Sequence, residues 1–119
     1  MADVNLIVKE TLNVTCMRND TFRLEMVWKD ANDNFIDLTA YSFTAQVKKS
    51  KSDSTSVLSF ADSDFNKDAS GNLSMSKTSA QMNLEPGSYN YDLQAYKISN
   101  EDVSTWLGGI FTIQDDVTR

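Results

Sequence analysis

Apolar and polar residues alternate with period two along most of the chain, the pattern of strands that bury one face and wet the other. In residues 21–29, Phe22, Leu24, Met26 and Trp28 alternate with Thr21, Arg23, Glu25, Val27 and Lys29. Tyr41, Phe43, Ala45 and Val47 alternate with Ser42, Thr44, Gln46 and Lys48, and Tyr89, Tyr91, Leu93 and Ala95 with Ser88, Asn90, Asp92, Gln94 and Tyr96. Shorter strands are predicted over 12–17, 56–60 and 71–76, and a last one over 103–113, which makes about seven. Between them stand turn-forming stretches: the Asp/Asn-rich 30–34, the basic and serine-rich 48–54, the turn-like 66–70, Glu85-Pro86-Gly87 and the polar 99–102. Many short strands with punctuation at this spacing predict an all-β sandwich or small barrel.

One segment breaks the alternation. Ala80, Gln81 and Met82 follow Thr78 and Ser79, either of which can cap a single helical turn, so a short helix is predicted near residues 78–83. Just beyond it Gly87 precedes Tyr89 by two residues, as in the tyrosine corner of Greek-key sandwiches, where a phenol bonds back to the corner backbone. Tyr89 is the candidate, with Tyr91 in the buried position that follows.

A length of 119 residues suits one domain, here residues 1–119, and 40% hydrophobic against 24% charged residues suits a packed core. Eleven Lys and Arg against seventeen Asp and Glu give a net charge of −6. That field opposes nonspecific binding to nucleic acid or anionic lipid, and neither is expected as a partner. The longest apolar stretch, around residues 5–8, is far short of a membrane span, and the first residues lack the basic and apolar regions of a signal peptide. Synthesis and folding in the cytoplasm are therefore expected.

The chain has no histidine and a single cysteine, Cys16. Ser-His-Asp and Cys-His catalysis, the usual zinc sites and any internal disulfide are thereby removed. No catalytic residue, metal or cofactor is expected, and Cys16 reads as a small core side chain. Asp30, Asn32 and Asn34 have the spacing that opens a calcium loop, but Phe35 stands where the sharp turn needs Gly and Tyr41 where the bidentate acid belongs. A hairpin connection is the plainer reading. Asp62, Asp64 and Asp68 around Phe65 read as a solvated loop in preference to a cation site, and Lys48, Lys49 and Lys51 as a mobile loop in preference to a phosphate site. Gly108-Gly109, inside the last strand, marks a bulge or a close backbone approach. Trp28 continues the core face of its strand. Trp106 and Tyr96 could anchor a partner protein or stack on a sugar.

From Phe22 onward the order of motifs resembles the small immunoglobulin-like domains of tail, baseplate and fibre-associated proteins of tailed bacteriophages, among them the N-terminal domain type of baseplate upper proteins. The likeness rests on a strand ending in Trp28-Lys29-Asp30, a turn to Ile36-Asp37-Leu38-Thr39 and the strand beginning at Tyr41. It continues through a helical turn into Leu84-Glu85-Pro86-Gly87-Ser88-Tyr89-Asn90-Tyr91-Asp92-Leu93, and ends with Gly109-Ile110-Phe111-Thr112-Ile113 before Val117-Thr118-Arg119. It departs from the pattern in the long first region, residues 6–17, which suggests an extra edge strand or an arm reaching to a neighbour.

The resemblance implies an immunoglobulin-like sandwich used as a structural adaptor, often repeated by symmetry, with no catalytic residues to carry over. The expected role is a non-enzymatic subunit of the virion, in the tail, baseplate, fibre-attachment or neck region, partnered by other phage structural proteins and by copies of itself, and assembled in the host cytoplasm. The alternative is a carbohydrate-binding module of a host-recognition apparatus, which needs Trp106 and Tyr96 exposed among polar groups. A glycosidase built on paired carboxylates is the third class, and no pair of acids stands in a context that marks it.

Overall fold

The structure, a computed structural model, describes residues 10–30 and 32–115. The alternating segments become strands packed in two sheets, and the described residues hold helix only as 3-10 turns. In chain order the strands are β1 (Glu10–Thr11), β2 (Val14–Met17), β3 (Phe22–Val27), β4 (Tyr41–Lys48), β5 (Leu58–Phe60), β6 (Phe65–Lys67), β7 (Asn72–Lys77), β8 (Gly87–Lys97) and β9 (Asp102–Gln114). One sheet has the order β1-β9-β8-β4-β5, with β2 continuing the line of β1 along β9, and the other has the order β3-β7-β6. In immunoglobulin lettering these are A′-G-F-C-C′ and B-E-D, so the chain is an immunoglobulin-like sandwich. All pairings are antiparallel except those of β1 and β2 with β9, where Glu10 lies opposite Leu107 and Val14 opposite Phe111.

The sequence reading and the structure part at β6. Residues 66–70 were expected to turn, yet Phe65–Lys67 pairs with β7, because Phe65 is buried against Phe43 and Phe60 and pulls its neighbours into register. The helical turn expected near 78–83 is the 3-10 turn Ser79–Met82. Thr78 caps it, with its N–H and hydroxyl donating to the Gln81 side chain, and Met82 is fully buried beneath it. Residues 6–9 of the long first region and the terminal Val117-Thr118-Arg119 lie outside the described residues.

A connected series of ring contacts runs through the core and crosses repeatedly between the sheets. Trp28 meets Trp106 at 5.2 Å, Trp106 meets Phe43 at 5.5 Å, and Phe43 meets Phe65 at 5.8 Å. Phe65 meets Phe60, Phe60 meets Phe22, Phe22 meets Phe111 at 5.3 Å, and Phe111 meets Tyr91. Tilted and edge contacts of this kind each add about 0.5–1.5 kcal/mol to the burial of the rings themselves.

Tyr89, at the start of β8, donates its hydroxyl to the Glu85 carbonyl at 2.5 Å and closes the tyrosine corner. Two residues on, where antibody domains carry the second cysteine of the inter-sheet disulfide, stands Tyr91. Its hydroxyl donates to Leu12 O at 2.6 Å and ties β8 to the link between β1 and β2. Burial pushes the Tyr91 phenol up to about 12, so it stays protonated and keeps donating. The register of β8 with β9 shifts between Leu93, opposite Leu107, and Gln94, opposite Thr105, which leaves Trp106 as the extra residue of a bulge. The bulge turns Trp106 and Leu107, neighbours in sequence, both into the core. Gly109 supplies the close approach: a side chain there would collide with Leu12 O.

Tyr89→Phe removes one hydrogen bond and almost no volume, so it should cost about 1 kcal/mol, read as a lower urea midpoint with the slope unchanged. A shift of the same size from Tyr91→Phe would mark the β8 tie to Leu12 as an equal contributor.

Candidate functional site

The residues singled out in the sequence divide into those that build the frame and those that reach the surface. Asp37 caps the 3-10 turn Leu38–Ala40. Its Oδ1 accepts from the Thr39 N–H at 3.0 Å and from the Thr39 hydroxyl, while Leu38 is fully buried. Trp28 packs on Trp106 beside the core. Gly87 opens β8, and Tyr89 and Tyr91 lock the corner and the edge as described. These are architectural roles.

Trp106 is no surface anchor: it is only 2% exposed. The bulge turns it inward against Trp28, Tyr41 and Phe43, and its indole N–H donates to Ser104 Oγ at 3.0 Å. Of the two residues that could have anchored a partner, Trp106 is therefore corrected to a core residue. Period-two alternation made the facing of Trp106 ambiguous, and the bulge decided it. Tyr96 does reach the surface, opposite Val103 on the outer face of the β8–β9 ribbon, and Ile98 is exposed at its tip. Val103 and Ile98, 60% and 56% exposed, extend the apolar patch that Tyr96 begins, which alternation could signal only by placing Val103 among outward positions.

Beside this patch the outer face of β4 and β8 is polar. A shallow groove of about 290 Å³ lies there, lined among others by Thr44, Gln46, Lys48, Lys51, Asn90 and Asp92. Asp92, counted in the sequence motif, thus faces outward while its neighbours Tyr91 and Leu93 face the core. Lys48, at the end of β4, and Lys51, in the following loop, bring positive charge to one end of the groove.

The acidic clusters are occupied by structural bonds. Asp30 Oδ1 accepts from the N–H groups of Asn32 and Asn34, which closes the loop as a turn. Asp62 Oδ1 accepts from the Phe43 N–H at 2.9 Å and from Lys67, and Lys67 also donates to Tyr41 O. Together they extend the hydrogen bonding of β4 beyond the short partner β5. Asp64 pairs with Lys77 at 2.9 Å, and that ammonium, nearly buried, also lies over the Phe60 ring. The Lys77 hydrogen bond holds the Asp64 carboxyl below its usual range, helped by the Ala61 N–H and the Lys77 charge. Asp68 is lowered too, by bonds from the Asn72 side chain and the backbone N–H groups of Asn72 and Ser70. Among the described residues no three His, Cys, Asp or Glu side chains gather as a metal would require. Cys16 is half-buried with Sγ toward Thr112 O, and burial, with the Asp20 charge, pushes its thiol up to about 11. It stays a protonated thiol at neutral pH, poor as a nucleophile.

No family model and no curated protein matches the chain. Among solved structures it is similar to the NK cell receptor Nkp44, described as a triggering partner in natural cytotoxicity, at 14% identity and a TM-score of 0.45, over 90% of this chain and 99% of that one. It is also similar to part of a family 123 glycoside hydrolase from Clostridium perfringens, at 14% identity and a TM-score of 0.40, over 92% of this chain and 24% of that one. Likeness at this level says nothing of what this chain binds.

Two outcomes follow. Trp106→Ala should destabilise the domain by about 3–5 kcal/mol as a core cavity, measured by thermal or urea unfolding. Asp64→Asn leaves the Lys77 ammonium without its anion and should cost about 1–3 kcal/mol near neutral pH. Because the folded Asp64 carboxyl is lowered, its contribution is present above the ordinary value near 3.8 and is lost as pH falls through the folded one. The Asn variant should therefore show a shallower fall in stability below pH 4 than the parent.

Proposed function

We propose that this chain is a non-enzymatic structural subunit of a tailed-bacteriophage virion, an adaptor or joining piece of the tail, baseplate, fibre-attachment or neck region. The observation that carries the reading is the run Pro86-Gly87-Ser88-Tyr89-Asn90-Tyr91-Asp92-Leu93, which resembles those phage domains and whose tyrosines spend their hydroxyls on the frame. The surface chemistry supports the same reading. An apolar patch of Tyr96, Ile98 and Val103 beside a polar groove suits contact with protein, where aromatic anchors are ringed by polar groups. Its partners are other virion proteins and further copies of itself, arranged by symmetry.

A sugar-binding role has less support. Its stacking pair would need Trp106 at the surface, and the groove over β4 and β8 offers hydrogen-bonding side chains without an aromatic platform.

Antibody to the purified chain, used for immunogold electron microscopy on intact particles of the source phage, tests the proposal. Label at the tail tip, collar or fibres is the expected result. Particles free of label, and free of the chain by mass spectrometry, would remove the virion reading.

A further inference from the structure

Backbone hydrogen bonds draw several connections together at one end of the sandwich. Trp28 N–H donates to Gly71 O at 2.8 Å and Ile36 N–H to Trp28 O at 3.2 Å, while Leu38 N–H donates to Asp68 O and Ile98 N–H to Ala40 O, each at 3.0 Å. The four most exposed large apolar side chains among the described residues, Val103, Val27, Phe35 and Ile98, all stand on or beside these segments, at 60%, 57%, 57% and 56% exposure. The same segments carry Asp30, Asp33, Asp37, Asp68, Glu101 and Asp102 against Lys29 and Lys97, a net −4 of the chain's −6. Glu101 holds a left-handed backbone, φ 61°, where glycine would sit with less strain, so the hairpin itself does not require a carboxylate there.

The loop that leaves the far end of β4 carries the reverse charge. β4 runs from Tyr41, opposite Lys97, to Lys48, opposite Asn90, and at ~3.3 Å per residue this sets the two ends roughly 23 Å apart. Lys48, Lys49 and Lys51 stand at this far end, and the one acid of the loop, Asp53, accepts from the Ser50 N–H. Val57, 41% exposed, closes the loop by donating its N–H to Val47 O. Among the described residues neither these three lysines nor Glu101 and Asp102 form an ion pair.

Within one molecule the length of β4 keeps the two charges apart, whereas two molecules stacked end to end bring them together. The overall charge of −6 opposes association at long range, but salt confines that repulsion to about 8–10 Å. At contact the local signs decide, and here they are complementary.

We propose that the end bearing Phe35, Ile98, Glu101 and Asp102 docks the lysine loop, residues 48–51, of a second copy of this chain. The contact joins two different surfaces, so it repeats from copy to copy into a row or a ring. It rests on the self-assembly part of the function proposed above and supplies the interface.

Sedimentation velocity of the purified chain tests it with no particle present. At low salt the mean mass should rise with concentration above that of the monomer, and it should return to the monomer in high salt. Two variant chains, one carrying Glu101→Lys with Asp102→Lys and the other Lys49→Glu with Lys51→Glu, change only exposed side chains outside the core. Each alone should keep the parent's thermal unfolding but stay monomeric at low salt. An equimolar mixture of the two should regain association, since each reversed end then meets an opposite one. A parent chain that is monomeric at low salt overturns the proposal, as does association that survives either reversal or a mixture that stays monomeric. None of these results bears on where immunogold label falls, so the two readings fail separately.

Discussion

The fold depends on a run of aromatic contacts that takes the place of a covalent bridge. With a single cysteine, the two sheets cannot be stapled, and the position two residues beyond the corner tyrosine holds Tyr91. The rings of Trp28, Trp106, Phe43, Phe65, Phe60, Phe22, Phe111 and Tyr91 touch in sequence across the core. Other features serve this series. The bulge in β9 exists where it must turn Trp106 inward beside Leu107, and β6 exists because Phe65 is needed between Phe43 and Phe60.

Around that core, charged side chains finish the work that backbone pairing leaves undone. β5 pairs only with the later part of β4, and Asp62 and Lys67 bond the backbone of Phe43 and Tyr41 beyond it. Lys77 ends the inward row of β7, where an ammonium would be costly without an anion, and Asp64 together with the Phe60 ring face supplies it. The acids that the sequence suggested as a solvated loop are distributed to separate structural tasks.

These commitments shape what remains for function. With Trp106 and Trp28 packed on each other and the tyrosines of the motif bonded to the backbone, the proposed contact with other proteins would rest, among the described residues, on the outer face of the larger sheet and on the β8–β9 ribbon. Such surfaces suit broad contact with protein more than capture of a small molecule, because they are shallow and open.

Much of the architecture was legible in the chain. Period two in 21–29, 41–48 and 88–96 marked the long strands, since only a pleated strand places alternate residues on opposite faces. The Gly87–Tyr89 spacing marked the corner, and Thr78 marked the turn, because those signals are local. Tertiary structure alone decided the rest. β6 reads as a turn until Phe65 is drawn into the core, the facing of Trp106 stays ambiguous until a bulge settles it, and the acids find their cations across 5 to 13 residues of chain. Each of these depends on partners brought close by folding, which no local pattern of residues encodes.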